Sequence, residues 1–358
     1  MTTSYEYDRA DAPADALRLH LNEHTGGCSP RVMEAIRAVS AADVAKYQDY
    51  APLHAAVAER AGLSVDQVLL TNGLDEGLLA AAIGWLRGDR HDALILEPAF
   101  GMYADCVEAV GGTIRRVMPR HDFALDLEAV RRAITPQTGL LFVTSPGNPT
   151  GLSLNADQIY AMATMLPDGA LLLLDEAYAE FAGEAFLPCL GAAGRTPPAG
   201  ARTLPPQIVV GRTFAKAYGL AGLRVGALFG AAATIARLRR VVPPYSLNVF
   251  VVAALTAALD DTAYVEDYVR QVGESKALLY AACDRLSLGY VPSDANFVLV
   301  RAGERRPQLI AGLEARNIYV RDRHTQPGCA GCIRITTGLV EHTRLCIEAM
   351  EEILCARE

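Results

Sequence analysis

The sequence predicts an α/β protein with two domains: a large one on a mostly parallel sheet flanked by helices, and a small α+β domain near the C-terminus. Short runs of consecutive apolar residues alternate with turns and helical patterns over the first two thirds of the chain, which is typical of parallel strands buried on both faces. After about residue 248 a long helical run and shorter mixed elements follow. A chain of 358 residues, 51% of them apolar, is long enough for a large core and a smaller one.

The domain boundaries that this pattern predicts are an N-terminal arm at 1–28, a large domain at 29–247 and a small domain at 248–358. The large domain begins with a helix, because Ser29 is a favoured N-cap and Pro30 fits the first helical position. Further helices are expected at 53–62, where Gly62 supplies the end, and at 78–86. Its strands are predicted at 68–71, 93–96, 140–143, 170–174 and 207–210.

The small domain is predicted to begin with one long helical run over residues 249–286. Strands are expected at 296–300, 318–321 and 332–336, and helices at 307–316 and 341–354. The large-domain strands matter most for function, because ligands of such sheets gather at the carboxyl ends of the strands.

The composition excludes several classes of protein. The net charge of -8 argues against nucleic-acid binding, which needs a basic face. We find no apolar window long enough for a membrane helix and no N-terminal pattern like a signal peptide. Eight scattered cysteines do not form a disulfide framework, and Cys329 and Cys332 lack the second ligand pair of a zinc site. A cytoplasmic enzyme without a metal is expected.

The stretch from Arg212 to Gly226 contains the most informative residue, Lys216. Its apolar neighbours disfavour the charged amine and lower its pKa, which favours attack on an aldehyde to form a Schiff base. Arg224 follows two glycines and has the planar fork that suits a phosphate. A surface lysine is the alternative. An amine that traps aldehydes beside a phosphate-binding arginine indicates pyridoxal phosphate.

Polar and aromatic side chains at the strand ends are expected to surround that cofactor. Asp175 would keep the pyridine nitrogen protonated, and Asn148 and Tyr178 would hydrogen-bond the phenolic oxygen. Phe100 would stack on the ring. The alternatives are a helix-capping aspartate, an ordinary Asn-Pro-Thr-Gly turn and a core aromatic residue.

Two further groups are expected to bind anions. The turn of Gly73, Leu74 and Asp75 opens a helix, whose backbone N–H groups suit the cofactor phosphate. Arg334 is the one arginine in an otherwise apolar strand, so it needs an anionic partner: the α-carboxylate of a substrate or, alternatively, a structural salt bridge. Arg321 is a candidate for a second anion.

These motifs resemble those of fold-type I (class I/II) pyridoxal-phosphate-dependent aminotransferases, in the histidinol-phosphate branch. The matching stretches are L19-H-L-N-E23, G73-L-D-E-G77, P98-A-F-G-M-Y103, S145-P-G-N-P-T-G151, D175-E-A-Y-A-E-F181, T213-F-A-K216, L220-A-G-L-R224 and V320-R-D through R334-I-T-T-G338. The sequence departs from the family pattern at His20, where asparagine is usual, and at Ala215, where serine is usual.

The resemblance implies a role for each matching residue. Lys216 carries the cofactor and moves a proton during catalysis, with Asp175 and Tyr178 as the other catalytic residues. Arg334 takes the α-carboxylate and Arg321 the substrate phosphate. The remaining site residues are Thr213 at the cofactor and Asn22 and Tyr103 at the substrate.

The resemblance also implies a homodimer and a reaction. Tyr47 aligns with a tyrosine that reaches the cofactor phosphate of the neighbouring subunit. The expected reaction is transamination of histidinol phosphate with 2-oxoglutarate. Transamination of another amino acid, aromatic or from secondary metabolism, and decarboxylation or cyclisation on the same fold are the alternatives. A non-catalytic regulator is disfavoured, since Lys216, Asp175 and Arg334 are all present.

Overall fold

The strands form two sheets within the residues that the computed structural model describes, 12–187 and 204–355. In chain order they are β1 (Leu17–Leu19), β2 (Val68–Thr71), β3 (Asp92–Leu96), β4 (Thr113–Val117), β5 (Thr138–Thr144), β6 (Leu171–Asp175), β7 (Ile208–Thr213), β8 (Gly226–Gly230), β9 (Gly289–Val291), β10 (Phe297–Arg301), β11 (Ile318–Asp322) and β12 (Cys332–Thr336). Residues 1–11 of the predicted arm lie outside the described ranges.

Helices cover both sheets. They are α1 (Pro30–Arg37), α2 (Ala41–Val44), α3 (Ala51–Ala61), α4 (Gly73–Trp85), α5 (Met102–Ala109), α6 (Leu127–Ala133), α7 (Ala156–Met165), α8 (Ala232–Leu238), α9 (Val249–Asp260), α10 (Thr262–Arg285), α11 (Arg306–Glu314) and α12 (Val340–Cys355). The predicted ends of two helices are confirmed: the Ser29 side chain accepts a hydrogen bond from the Arg31 N–H, and Gly62 closes α3 with φ 66°.

The large sheet has seven strands in the order β2-β8-β7-β6-β5-β3-β4. Neighbouring strands from β7 to β4 pair in parallel, whereas β8 is antiparallel to both β7 and β2. The prediction of a mostly parallel sheet is therefore confirmed. Because β5, β6 and β7 run in the same direction, their carboxyl ends meet at one edge.

The apolar run of β6 illustrates why both faces of this sheet are covered. Alternate side chains of a strand point to opposite faces. Leu171 and Leu173 pack with α4, α5 and α8, whereas Leu172 and Leu174 pack with helices that include α3, α7 and α9. Burying each leucine contributes about 1.5–3 kcal/mol before entropic costs.

The small sheet has the order β1-β11-β12-β10-β9. Its helices α10, α11 and α12 pack with Ile333 and Ile335 on one face. The other face of β12 carries Arg334. One edge strand is β1, which pairs in parallel with β11, so part of the arm joins the small sheet, which the sequence analysis did not foresee.

Other elements also differ from their predictions. The expected helical run over 249–286 is two helices, since the backbone leaves helical geometry at Asp261 (φ -106°, ψ 57°). The strands β4 and β8 were not predicted. The pattern T-I-R-R-V of β4 is charged because this edge strand is largely exposed, and β8 is flanked by glycines that resemble turn signals.

The described ranges also bear on membrane insertion, metal binding and disulfide pairing. No helix there is long and apolar enough to cross a membrane. The same residues contain no cluster of three or more potential metal ligands from histidine, cysteine, aspartate and glutamate. The described cysteines are free thiols.

Candidate active site

A cleft of about 920 Å³ opens at the carboxyl ends of β5, β6 and β7 and is closed on its far side by the small sheet. Most of the predicted site residues line it, although they come from distant parts of the sequence. They are Asn22, Leu74, Asp75, Phe100, Tyr103, Asn148, Asp175, Tyr178, Thr213, Lys216, Arg224, Arg321 and Arg334. Gly73 lies directly beside this set, whereas Tyr47 lies elsewhere on the surface.

Lys216 follows β7 in the short connection to β8, which aims its side chain into the cleft. Its Nζ donates a hydrogen bond to the Leu21 carbonyl oxygen at 3.0 Å. Burial, followed by repulsion from Arg334, lowers the pKa of this amine to about 8. A far larger fraction of this amine is therefore uncharged near neutral pH than in an ordinary lysine, and the uncharged form is the one that a nucleophile or a general base requires.

Asp175 ends β6 at the floor of the cleft. One carboxylate oxygen accepts a hydrogen bond from the Tyr103 hydroxyl at 2.6 Å, and the other accepts one from the Ala177 N–H at 2.9 Å. Burial nevertheless raises the pKa of Asp175 to about 6. A cationic ring nitrogen against this carboxylate would favour its charged form.

Tyr103, which was predicted to contact the substrate, lies at the base of the cleft beside Asp175. Its ring is 1% exposed and stacks on Phe142, with centroids 4.8 Å apart and planes 7° from parallel. Its hydroxyl bonds both Asp175 and Thr144. Because the side chain is fully engaged below the cleft, its position favours orienting Asp175 over binding the substrate.

Tyr178 and its partners form a polar network above Asp175. The Tyr178 hydroxyl accepts hydrogen bonds from Asn22 Nδ2 at 3.0 Å and from Asn148 Nδ2 at 3.3 Å. Burial raises the pKa of Tyr178, so the phenol keeps its proton. Since the oxygen already accepts two bonds, its hydrogen is available to donate to a ligand oxygen. Asn22 is thus positioned to orient Tyr178.

Arg334 is 3% exposed and bonds only neutral oxygens among the described residues. Its Nη1 donates to Asn148 Oδ1 and its Nη2 to the His20 carbonyl, each at 2.6 Å. Burial, followed by repulsion from Arg323, lowers its pKa well below the usual value. Its buried Nε has no hydrogen-bond partner in the described ranges. The geometry favours an anionic ligand over the alternative of a structural salt bridge.

The start of α4 and Arg224 form a positive corner of the cleft. Gly73 has φ +73°, and a Cβ at this position would lie 2.6 Å from Arg224 Nη2. Only glycine therefore lets the guanidinium approach the first turn of α4. Arg224 donates to Asp75 at 2.6 Å, and the Thr213 hydroxyl accepts from the Ala215 N–H at 3.2 Å. Together these groups suit a phosphate, even with Ala215 in place of serine.

Phe100 and Tyr47 are the two aromatic residues predicted at the cofactor. Phe100 faces the cleft, 38% exposed, with its ring edge-on to Tyr103 at 5.8 Å, so it is not a core residue. Tyr47 is 81% exposed and packs only against Tyr245 among described aromatic residues, with centroids 4.3 Å apart. Within one chain it does not reach the cleft.

The donor set as a whole fits pyridoxal phosphate. The cleft offers an amine of lowered pKa, a helix N-terminus beside a guanidinium for the phosphate, and a buried carboxylate for the ring nitrogen. The Tyr178 hydroxyl and Asn148 amide suit the phenolic oxygen. Each group matches a different part of the cofactor, and all of them face the same cleft.

Sequence reasoning missed two groups around the cleft. Arg323 lines the cleft beside Arg321. The R-D-R pattern at the end of β11 was the available signal. Arg212 is buried beneath the cleft, where its Nε donates to Glu176 at 3.0 Å and its Nη1 to Glu180 at 2.9 Å. This network ties the turn after Asp175 to the strand that leads to Lys216. Charged residues inside apolar runs were the signal here.

Comparison with known proteins shows the family. The model for class I and II aminotransferases matches residues 14–347. The histidinol-phosphate aminotransferase of Symbiobacterium thermophilum is 35% identical over 95% of this chain and 91% of its own length. The histidinol-phosphate aminotransferase 2 of Pseudomonas fluorescens is 34% identical over 96% of this chain and 90% of its own.

Solved structures agree with this assignment. The histidinol-phosphate aminotransferase of Sinorhizobium meliloti, solved with pyridoxal-5'-phosphate, has a TM-score of 0.81 and 27% identity, covering 95% of this chain and 91% of its own. A putative histidinol-phosphate aminotransferase from Erwinia carotovora atroseptica has a TM-score of 0.83 at 24% identity, covering 95% and 97%. The predicted fold type and the predicted pyridoxal-phosphate-dependent aminotransferase activity are confirmed. The chain belongs to the family of class I and II aminotransferases.

Proposed function

We propose that this aminotransferase transfers the amino group of histidinol phosphate to 2-oxoglutarate. Relatives named histidinol-phosphate aminotransferase are similar to this chain over nearly its whole length. The observation that supports the substrate best is the pair Arg321 and Arg334, which lie opposite each other on β11 and β12 and both line the cleft. Adjacent guanidinium groups suit an amino substrate that carries an anion.

Lys216 acts as the acid and base of the reaction. Bound pyridoxal phosphate supplies an aldehyde and a ring that withdraws electrons from the substrate Cα. The Lys216 amine, with its pKa of about 8, would take the proton from the substrate Cα and give it back later in the reaction. Asp175 holds a proton on the ring nitrogen, and Tyr178 donates to the phenolic oxygen. Tyr103 keeps Asp175 in place.

The arginines orient the two substrates in turn. Arg334 holds the α-carboxylate of glutamate or 2-oxoglutarate through its free Nε edge. Arg321 holds the phosphate of histidinol phosphate. Because both substrates use the same cleft, each must leave before the other binds, which is the ping-pong order.

The active form in this proposal is a homodimer in the cytoplasm. Exposed aromatic and apolar side chains occur near Tyr47, at Val44 and Tyr245, and pairing with a second copy would cover such a surface. Tyr47 then reaches the cofactor phosphate of the partner chain. Free thiols throughout the described ranges suit a reducing compartment.

The reaction is tested with purified enzyme, histidinol phosphate and 2-oxoglutarate. We expect glutamate and the 2-oxo product in equal amounts, with parallel lines in double-reciprocal plots. Carbon dioxide release from an amino acid added in place of histidinol phosphate, which has no carboxylate to lose, would instead favour a decarboxylase of the same fold. Activity with aromatic amino acids but not with histidinol phosphate would contradict the proposed donor.

A further inference from the structure

Arg323 is a third arginine beside Arg321 and Arg334, and the register of the small sheet places it there. β11 and β12 are antiparallel, with Arg321 opposite Arg334. The Arg323 N–H donates to the Cys332 carbonyl at 3.1 Å, so the pairing continues one step beyond β11. Since alternate residues share a face, Arg323 points to the same side as Arg321 and Arg334. All three line the cleft.

Arg323 retains unused hydrogen-bonding capacity and its charge. Its Nε is buried and has no partner in the described part of the chain. Burial, followed by repulsion from Arg321, lowers its pKa to about 10, which leaves the group protonated at neutral pH. A buried guanidinium donor of this kind requires an anion or another acceptor from a ligand.

The carboxylates of the cleft do not neutralise Arg323. Three of them have other partners: Glu23 pairs with Arg18, Asp75 with Arg224, and Asp175 accepts from Tyr103. The fourth is Asp105, whose pKa is raised by burial and by repulsion from Glu108. A neighbouring arginine would lower this pKa, and none is among the causes of the shift. Among the described residues, the acid next in sequence, Asp322, pairs with Arg306. The charge of Arg323 is therefore available to a substrate.

The two proposed substrates differ in the charge that they bring to this site. Histidinol phosphate has no carboxylate, so its phosphate ester occupies the end of the molecule where glutamate has its α-carboxylate. A phosphate monoester is close to a dianion with three acceptor oxygens at pH 7. A carboxylate has one charge and two oxygens, which Arg334 alone can satisfy through two parallel bonds.

We propose that Arg323 is a specificity residue, which adds a guanidinium beside Arg321 and Arg334 so that the site prefers a phosphate monoester to a carboxylate. This inference rests on the proposed function, because it concerns the binding end of the same substrate. In this proposal Arg323 binds the third oxygen of the phosphate. In a site with fewer guanidinium groups, that oxygen would remain hydrated.

The test is calorimetric titration of the holoenzyme, whose cofactor already fills the phosphate corner at Arg224. The probes are propyl phosphate and butyrate, which have similar chains but different anions. The wild type should bind propyl phosphate more tightly. Arg323→Gln should weaken propyl phosphate about 10- to 100-fold, as loss of a charge-assisted bond implies, and butyrate less than about threefold. Arg323→Lys should restore part of the loss.

Arg316→Gln is the matched control, because it removes an exposed guanidinium just before β11 that pairs with Glu352 outside the cleft. It should leave both affinities unchanged. Each variant is first checked for the absorption band of the bound cofactor and for its unfolding midpoint. Equal losses for both probes, no loss for either, or a wild type without preference would overturn the role of Arg323.

Turnover of histidinol phosphate separates this inference from the proposed function. If Arg323→Gln loses propyl phosphate selectively but the wild type does not convert histidinol phosphate, the phosphate preference stands and the proposed donor is wrong. If the wild type converts histidinol phosphate and the variant binds both probes normally, the donor stands and Arg323 is not a specificity residue.

Discussion

At the scale of single residues, the cleft holds two ionisable groups whose pKa values shift toward each other. Burial lowers the pKa of Lys216 to about 8 and raises that of Asp175 to about 6. Each shift means that the folded chain disfavours the charge that the group would carry in water. Such opposed shifts in one cleft are typical of catalytic sites. They also lower the stability of the cofactor-free protein.

Asp175→Asn should therefore stabilise the cofactor-free protein while it inactivates the enzyme. The folded pKa of about 6 lies above the ordinary value of 3.8. Ionisation of this carboxyl therefore destabilises the fold increasingly as pH rises from about 4 to 6, and the destabilisation is complete above pH 6. The gain at pH 8 should be up to about 3 kcal/mol. Urea unfolding of the cofactor-free protein measures it.

The same variant tests the function of the charge. With the cofactor bound, we expect kcat to fall roughly 100-fold or more, since a developing charge loses its fixed partner. Most of the gain in unfolding free energy should be lost at pH 4, where the wild-type carboxyl is protonated in the folded state and partly protonated in the unfolded state. A gain of equal size at pH 4 and pH 8 would show that ionisation of Asp175 is not its cause.

At the scale of elements, sequence reasoning located the strands with continuous apolar runs and the residues that follow them. The positions of Asp175 and Lys216 at the sheet edge were predictable, because Asp175 ends one buried strand and Lys216 follows shortly after another. The break at Asp261 was not, because the apolar residues continue in helical spacing across it. Nor was the position of Tyr103, since its contact with Asp175 joins α5 to β6, which are distant in sequence.

The first turn of α4 gives a second prediction. Gly73→Ala should weaken cofactor binding and lower stability by about 1–2 kcal/mol, because the residue has positive φ and its Cβ would press on Arg224. Gly84→Ala in the same helix is the matched control. It meets no atom within 4 Å and should be neutral or stabilising by up to about 1 kcal/mol.

Fluorescence titration with pyridoxal phosphate and thermal unfolding measure both variants. If Gly73→Ala behaves like Gly84→Ala in cofactor affinity, the phosphate does not bind at the corner formed by α4 and Arg224. A loss of affinity in both variants would indicate instead a general effect on the helix.

At the scale of the whole molecule, the proposed homodimer makes each site dependent on two chains. Lys216→Gln and Tyr47→Ala should each be nearly inactive alone. In a mixed dimer, one site has both Lys216 and the partner chain's intact tyrosine at position 47. Random exchange of equal amounts should therefore restore about a quarter of wild-type activity, since half the dimers are mixed and each has one complete site.

Mixing is carried out after mild dissociation and followed by the activity assay, with size-exclusion chromatography to verify the dimer. Mixing Lys216→Gln with Asp175→Asn is the control, because Tyr47 is intact in both chains. Under the proposal both residues belong to the same site, and a mixed dimer then has no complete one. Restored activity in the control, or none in the first mixture, would contradict the shared site.

Borohydride reduction followed by peptide mass spectrometry shows whether Lys216 holds the cofactor. Reduction fixes the link between a lysine amine and the cofactor aldehyde. We expect the added mass on the peptide that contains Lys216, and its absence in Lys216→Gln but not in Lys276→Gln. Lys276 is a fair control, because burial also lowers its pKa. Label on Lys276 or Lys46, or on no lysine, would show that Lys216 does not hold the cofactor.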